Sequence, residues 1–186
     1  MATEGLQQAM ATTRAVLANV TPDQYDAATP CESWDVRALI NHIVGGSHWF
    51  AASVNAGKAP APAETDFTQG DVMASYDEGI AATVAAFGAP GALQKMIELP
   101  FGTFPGAAFM GLASTDQFTH GWDLARATGQ ETDLAPELAA TLLQGAKASI
   151  PDQFRGPDGQ APFGVAQEAD SASSADQLAA FLGRHV

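Results

Sequence analysis

Helical periodicity constrains the fold of this chain more than any other feature of its sequence. Apolar residues recur at positions i, i+3 and i+4 through several long segments, and Gly or Pro residues separate these segments. The clearest stripe consists of Val36, Leu39, Ile40, Ile43 and Val44, which share one face of a helix at this spacing. Such helices bury their apolar faces by packing against one another, so the predicted fold class is mainly α.

The apolar stripes predict helices over residues 3–20, 33–56, 71–87, 105–128 and 136–149. In the second helix, Ser33 is the predicted N-cap, Asp35 lies in the favourable first turn, and Gly57 ends the helix. Gly129 is the predicted C-cap of the fourth helix.

The segments between the helices are also informative. Residues 58–70 read as an extended connection that is long enough to cross the end of a bundle, so the second and third helices are expected to run parallel. Residues 96–100 could form a short strand or an extended rim. Residues 151–174 are rich in Gly, Pro, Ser and Asp and are expected to wrap the surface, before a last helical turn at residues 177–182.

Charge and cysteine use narrow the class of protein. The 21 acidic and 8 basic residues give a net charge of −13, which repels phosphate backbones and anionic lipid surfaces. We therefore expect neither a nucleic-acid partner nor a membrane role, and no run of about 18 apolar residues is present to span a bilayer. Residues 1–8 lack the pattern of a signal peptide, and Cys31 is the single cysteine. These features predict a soluble, cytoplasmic protein.

Two of the four histidines are placed for metal binding. His42 lies in the second predicted helix, whereas Asp116 and His120 lie four residues apart on the fourth, about 40° apart around its axis. A His–carboxylate–His set with open positions can hold a divalent cation and leave room for water or substrate. The alternatives are a core histidine and a surface i,i+4 pair. Phe118 and Trp122 indicate a buried helix, where an unpaired carboxylate is costly, so we favour ligation.

Other polar residues near these motifs allow two interpretations each. Asp123 could pair with Arg126 or orient a ligand histidine, and the ion pair with Arg126 is preferred. Cys31 precedes a helix start, which can lower the pKa of a thiol, but neighbouring carboxylates oppose thiolate formation, so a buried packing thiol is preferred. His48 lies about 240° around the helix from His42 and is not placed to share its site.

The aromatic residues are expected to serve packing first. The three tryptophans occupy helical positions and are predicted to be core residues. Phe101 and Phe104 precede the fourth helix, and they could line the mouth of the site or belong to a packed loop.

The motifs around both histidines resemble a known family. Thr-Pro-Cys-Glu-Ser-Trp-Asp-Val at residues 29–36, Leu-Ile-Asn-His-Ile-Val-Gly at 39–45 and His-Gly-Trp-Asp-Leu-Ala-Arg-Ala-Thr-Gly at 120–129 are similar to the DinB / mycothiol-dependent maleylpyruvate isomerase superfamily. The ending at residues 177–184 resembles that of its small actinobacterial branch. The resemblance implies a four-helix bundle with a long crossover between helices 2 and 3 plus short extra C-terminal helices. It implies one domain over residues 1–186, with 151–186 as a tail.

The resemblance also implies a metal centre at one end of the bundle. Carried over by position, the ligands are His42, Asp116 and His120, with zinc expected and nickel as the alternative. Members with known activity use the metal to activate a low-molecular-weight thiol, such as mycothiol or bacillithiol, for transfer or isomerisation. The implied partners are therefore a thiol and an electrophile, with the chain acting alone or as a homodimer.

Two departures from the family pattern limit what the resemblance implies. The isomerase has Glu at the position of Asp116, whose side chain is one methylene shorter. The isomerase also has a C-terminal domain that contributes to substrate binding, for which residues 151–186 are too few. Maleylpyruvate isomerisation is therefore not implied.

Three functions remain open at this point. The first is a metal-dependent thiol transferase or isomerase-like enzyme, and the second is a metal-dependent hydrolase that uses metal-bound water. The third is a non-catalytic helical binding protein with a structural or vestigial metal site. A structural zinc site usually has four protein ligands, and three candidates favour an open position. No residue is assured as a general base, so catalytic and cofactor-binding residues are unassigned.

Overall fold

The computed structural model describes residues 2–62, 64–157, 160–161 and 163–186. Its regular structure consists of α-helices, short 3-10 turns and one antiparallel hairpin. The helices are α1 (Glu4–Leu17), α2 (Val36–Ala56), α3 (Val72–Gly88), α4 (Gly106–Ala127), α5 (Pro136–Ser149) and α6 (Ser174–Phe181). The hairpin strands are β1 (Met96–Leu99) and β2 (Gly102–Pro105). The predicted mainly α fold class is confirmed, and the expected strand at residues 96–100 is β1.

The first four helices form a bundle in which α2 and α3 run parallel. Near the start of α2, Ile40 and Met73 line the same small cavity. Near the end of α2, Phe50 belongs to the same apolar cluster as Phe87. Helices that follow each other in sequence can run parallel only if their connection crosses the bundle from end to end. The connection between α2 and α3, described at residues 57–62 and 64–71, does so, and the predicted crossover between helices 2 and 3 is confirmed.

The start of α2 differs by two residues from the prediction. Asp35 is the N-cap, and its carboxylate accepts a hydrogen bond of 2.8 Å from the Ala38 amide. Ser33 lies outside the helix, because the Thr29 hydroxyl donates to the Trp34 carbonyl at 2.7 Å and closes the preceding loop into a turn. The carboxylate of Asp is as good a cap acceptor as a Ser hydroxyl, so the pattern alone did not separate them.

Glycines end two of the helices as predicted, because a left-handed residue terminates the helical hydrogen-bond pattern. Gly57 follows α2 with a φ of 76°, and Gly129 follows α4 with a φ of 70°. The C-cap of α4 is Thr128, one residue before the predicted cap Gly129. At the end of α1 the helix stops at Leu17, three residues before the predicted end at Val20.

The C-terminal part of the chain packs more deeply than a surface tail. α5 has the predicted bounds, but α6 begins at Ser174, because the Ser173 hydroxyl caps it by accepting a hydrogen bond from the Asp176 amide. The Trp122 indole of α4 donates to the Asp176 carboxylate at 2.9 Å, and Leu178 is fully buried. The end of the chain is therefore attached to the bundle.

The helices α1 and α4 approach each other closely at Gly121. A Cβ atom at this position would lie 2.3 Å from the Thr13 hydroxyl oxygen, a separation that real atoms do not show. Only glycine permits this approach, which places α4 and the adjacent His120 relative to the bundle. None of the helices in the described part of the chain combines the length and hydropathy needed to cross a bilayer.

Candidate metal centre

The structure brings His42, Asp116 and His120 together between α2 and α4. The Asp116 Oδ1 atom lies 3.4 Å from His42 Nε2 and 3.6 Å from His120 Nε2. All three candidate ligand atoms lie within 4.8 Å of one another. Two ligands bound to one tetrahedral zinc ion at about 2.0–2.1 Å are roughly 3.4 Å apart. The three donors are therefore spaced to share a single cation.

The charges of these three groups are coupled. Burial opposes ionisation of Asp116, but the nearby His120 and His42 side chains outweigh burial and lower the pKa of Asp116 to about 2. Burial also acts to lower the pKa of His42, but the hydrogen bond and charge of Asp116 raise it overall. For His120, burial prevails and the pKa is lowered. A carboxylate and a neutral imidazole are the forms that bind metals.

Asp123 fixes the orientation of His120. This carboxylate is fully buried, and its Oδ2 atom accepts a hydrogen bond of 2.9 Å from His120 Nδ1. With the proton on Nδ1, the Nε2 lone pair faces Asp116. A carboxylate that holds the second ring nitrogen of a histidine is the usual support of a metal-ligating imidazole.

The prediction that Asp123 forms an ion pair with Arg126 is wrong. Asp123 points into the protein, whereas Arg126 is exposed, and a fully buried carboxylate needs a partner that lies beside it. The contacts support the alternative role of Asp123, in which its carboxylate orients the ligand histidine His120.

The cation that neutralises Asp123 is Arg184, which follows α6. Its Nε atom donates to Oδ1 at 3.1 Å and its Nη2 atom donates to Oδ2 at 2.8 Å, so the pair is bidentate. Burial would raise the pKa of Asp123, but the Arg184 charge prevails and holds it well below its usual range. Sequence reasoning gave Arg184 no role. The sequence contained only one indication of this partner: a carboxylate on a buried helix needs a cation from somewhere in the chain.

A second group of potential ligands consists of Cys31, His120 and Asp123. Arg184 already bonds both oxygens of Asp123, and its Nη2 atom lies 3.5 Å from Cys31 Sγ, so a guanidinium fills the place of a metal ion. Burial and the charge of Asp123 raise the pKa of Cys31 to about 12, and the neutral thiol donates to Asp123 Oδ2 at 3.3 Å. Cys31 is half-buried and lines the cavity, whereas the sequence favoured a buried packing thiol, and its raised pKa disfavours the thiolate form of a nucleophile.

A cavity of about 1050 Å³ opens onto His42, Asp116 and His120. Phe101 and Phe104 line it, which is one of the two roles considered for them from the sequence, and Pro62 and Thr65 of the connection between α2 and α3 line it too. The 30–34 loop and the segment after α5 line it as well, which the sequence did not predict. The large opening leaves space for a ligand beside the three donors.

Trp34 packs against the apolar cluster around α2, as predicted for a core residue, but it is only half-buried and also lines the cavity. Its ring centroid lies 4.5 Å from that of His42 and 5.5 Å from that of His120. The residue precedes α2, so helical spacing did not apply to it. His48 lies outside the site as predicted, where its Nε2 atom is 2.9 Å from the Ser75 carbonyl oxygen.

With this geometry in hand, the family can be identified. Residues 6–125 match the family model described as the mycothiol maleylpyruvate isomerase N-terminal domain. The chain belongs to this family. The matched region contains His42, Asp116, His120 and Asp123, and it ends before Arg184.

Two relatives from Mycobacterium tuberculosis extend the similarity to the whole chain. They are the uncharacterized protein MT0763 of strain CDC 1551 / Oshkosh and the uncharacterized protein Rv0738 of strain ATCC 25618 / H37Rv. Each is 43% identical over 191 residues, which cover 100% of this chain and 97% of the relative. The chain is thus similar to these proteins along its entire length, including the segment after the family match.

Proposed function

We propose that this protein binds a divalent metal ion and activates a low-molecular-weight thiol of the mycothiol type for transfer to an electrophile or for isomerisation. One observation carries the proposal: His42, Asp116 and His120 present three donors at metal-binding separation to an open cavity. Family membership supports a thiol of the mycothiol type. The proposed location is the cytoplasm, where such thiols stay reduced.

The donor set fits a divalent cation. Two imidazole nitrogens and one carboxylate oxygen suit zinc, with nickel as the alternative, and three protein ligands leave a coordination position open. A bound cation of this kind lowers the pKa of a thiol or a water molecule that reaches it.

The protein's own residues hold and shape this site. Asp116 would contribute a negatively charged oxygen donor, and His42 and His120 would contribute nitrogen donors. Asp123 keeps the proton of His120 on Nδ1, and the Trp34 ring covers both imidazoles from one side. Hydrolysis through a metal-activated water would use the same three donors, but the family supports the thiol reaction.

Metal analysis of the wild-type protein beside three histidine variants tests the proposal. We expect one zinc or nickel ion per chain in the wild type. His42→Ala and His120→Ala should each lose it, with affinity at least roughly 100-fold lower, because two ligands remain. His48→Ala is the matched control on the same helix and should keep the metal, since His48 contacts the Ser75 carbonyl instead.

The second half of the test addresses the thiol. Calorimetric titration of the metal-loaded protein with mycothiol should show binding that His120→Ala abolishes. Absence of metal after reloading would overturn the proposal, and so would metal-loaded protein that binds no thiol. Turnover of an ester or amide panel without added thiol would favour the hydrolase.

Asp123→Asn should weaken metal binding by roughly 10–100-fold, because an asparagine amide can place a donor against His120 Nδ1 and no longer fixes its tautomer. The measurement is competition with a chelating indicator under conditions where circular dichroism shows folded protein. Asp77→Asn is the control, since Asp77 is an exposed carboxylate that also pairs with an arginine. Equal affinities for Asp123→Asn and the wild type would show that the His120 contact does not support the metal.

A further inference from the structure

The walls of the large cavity divide into a charged end and an aromatic end. Among the described residues that line it, the charged and titratable side chains apart from the Cys31 thiol belong to the 30–34 loop, the three candidate ligands and the chain end. They are Glu32, His42, Asp116, His120, Arg184 and His185. No charged side chain of the described residues lines the opposite side.

That opposite side, here called the aromatic wall, is built by α2, the hairpin and α4. Its members are Trp49, Phe50, Phe101, Phe104, Phe109 and Leu112. The rings pack against each other at separations typical of aromatic pairs, with 5.8 Å between Trp49 and Phe109 and 5.6 Å between Phe101 and Phe104. Two groups of packed rings thus line the same cavity as the candidate metal ligands.

The aromatic wall offers little to a polar ligand. The side chains of the aromatic wall contain a single polar group, the Trp49 indole N–H. It donates to the Pro60 carbonyl at 3.0 Å. The guanidinium of Arg184 is committed to Asp123 at the other end. The single arginine among the described lining residues is therefore not free to bind a dicarboxylate, in a chain whose net charge is −13.

Two of the exposed side chains that line the cavity are large and apolar. Phe101 at the hairpin tip is 44% exposed, and Val165 in the segment after α5 is 59% exposed, and both line the cavity. Exposed apolar side chains around a concave site gain free energy when an apolar ligand covers them. The volume of about 1050 Å³ accommodates a thiol together with a second molecule.

We propose that the aromatic wall binds the body of an uncharged aromatic molecule, which is the co-substrate of the thiol, and that the site disfavours dianionic acids. The assignment of this molecule as co-substrate rests on the proposed function. The binding itself requires only the aromatic wall and not the metal, so the two ideas fail separately.

A fluorescence titration with N-phenyl-1-naphthylamine, a neutral aromatic probe, tests the inference. We expect saturable binding to the wild type and binding roughly 10-fold weaker in Phe101→Asp, because the probe then faces a charge in place of an apolar ring. Phe101→Leu should bind almost as the wild type does. Met96→Asp is the matched control, since Met96 is a 55% exposed apolar residue of the same hairpin outside the cavity.

Competition and a second variant complete the test. Neutral 1-chloro-2,4-dinitrobenzene should displace the probe, whereas phthalate should not. Leu112→Gln, within the wall, should weaken probe binding without adding a charge. Wild-type protein stripped of metal by a chelator should bind the probe as the metal-loaded protein does, which separates this result from the metal test. Unchanged binding in both Phe101→Asp and Leu112→Gln, or displacement by phthalate as effective as by the neutral compound, would overturn the inference.

Discussion

Arg184→Met should lower the free energy of unfolding by about 3 kcal/mol, because it leaves the Asp123 carboxylate buried without its counter-charge. Asp123 is fully buried, and Arg184 is bound to it through two hydrogen bonds. The Arg184 side chain is 14% exposed, so water that enters the gap keeps the effect near the low end of the range for buried pairs. In a thermal unfolding experiment, this corresponds to a decrease in Tm of roughly 6–12 °C.

A surface pair of the same type provides the control. Arg14 also bonds Asp77 through two contacts, of 2.5 and 2.8 Å, but both side chains are more than 40% exposed. Arg14→Met should therefore change Tm only slightly, since water and salt screen the pair. The double variant Asp123→Asn, Arg184→Met should be more stable than Arg184→Met alone. Equal losses for Arg14→Met and Arg184→Met would refute the buried-charge explanation.

Gln117→Ala should also lower the free energy of unfolding by about 3 kcal/mol, through an unpaired buried hydroxyl and a new cavity. The Gln117 side chain is fully buried and connects α2, α3 and α4. Its Oε1 atom accepts a hydrogen bond of 2.6 Å from the Tyr76 hydroxyl, and its Nε2 atom donates to the Ile43 carbonyl at 3.3 Å. Urea unfolding monitored by tryptophan fluorescence measures the change.

The Tyr76 hydroxyl separates the two causes of this loss. In the double variant Tyr76→Phe, Gln117→Ala, no hydroxyl is left unpaired, so part of the lost stability should return. Gln144→Ala on the exposed side of α5 should stay within about 0.5 kcal/mol of the wild type. If Gln117→Ala were as stable as Gln144→Ala, the hydrogen bonds of Gln117 would contribute nothing to stability.

The Gln117→Ala variant is also expected to lose metal affinity, because Gln117 Nε2 lies 3.3 Å from Asp116 Oδ2.

The helices were predictable because their signals are local. The apolar periodicity, the glycines after α2 and α4, and the composition of residues 57–71 are all read within one segment, and each agrees with the structure. Errors at the ends came from competition between nearby caps, as at Ser33 and Asp35, which the local pattern leaves undecided.

The candidate site was predictable in part. Asp116 and His120 face the same way because they lie one helical turn apart, whereas His42 lies on a helix 74 residues away from Asp116, so helical spacing could not show that it meets them. The contact of Trp34 with His42 was not predicted, since the segment before α2 has no periodicity that could show where the Trp34 side chain points.

By itself, the sequence determined the helices, their order and the identity of three potential metal ligands, since these depend on neighbours along the chain. The tertiary structure alone decided that Asp123 orients the ligand His120 and that Arg184 neutralises Asp123. Asp123 meets Arg184 across 61 residues, and side chains from α2, the hairpin, α4 and the chain end line one cavity. No spacing rule connects such residues, because burial of charge selects partners by distance in space and not by position in the chain.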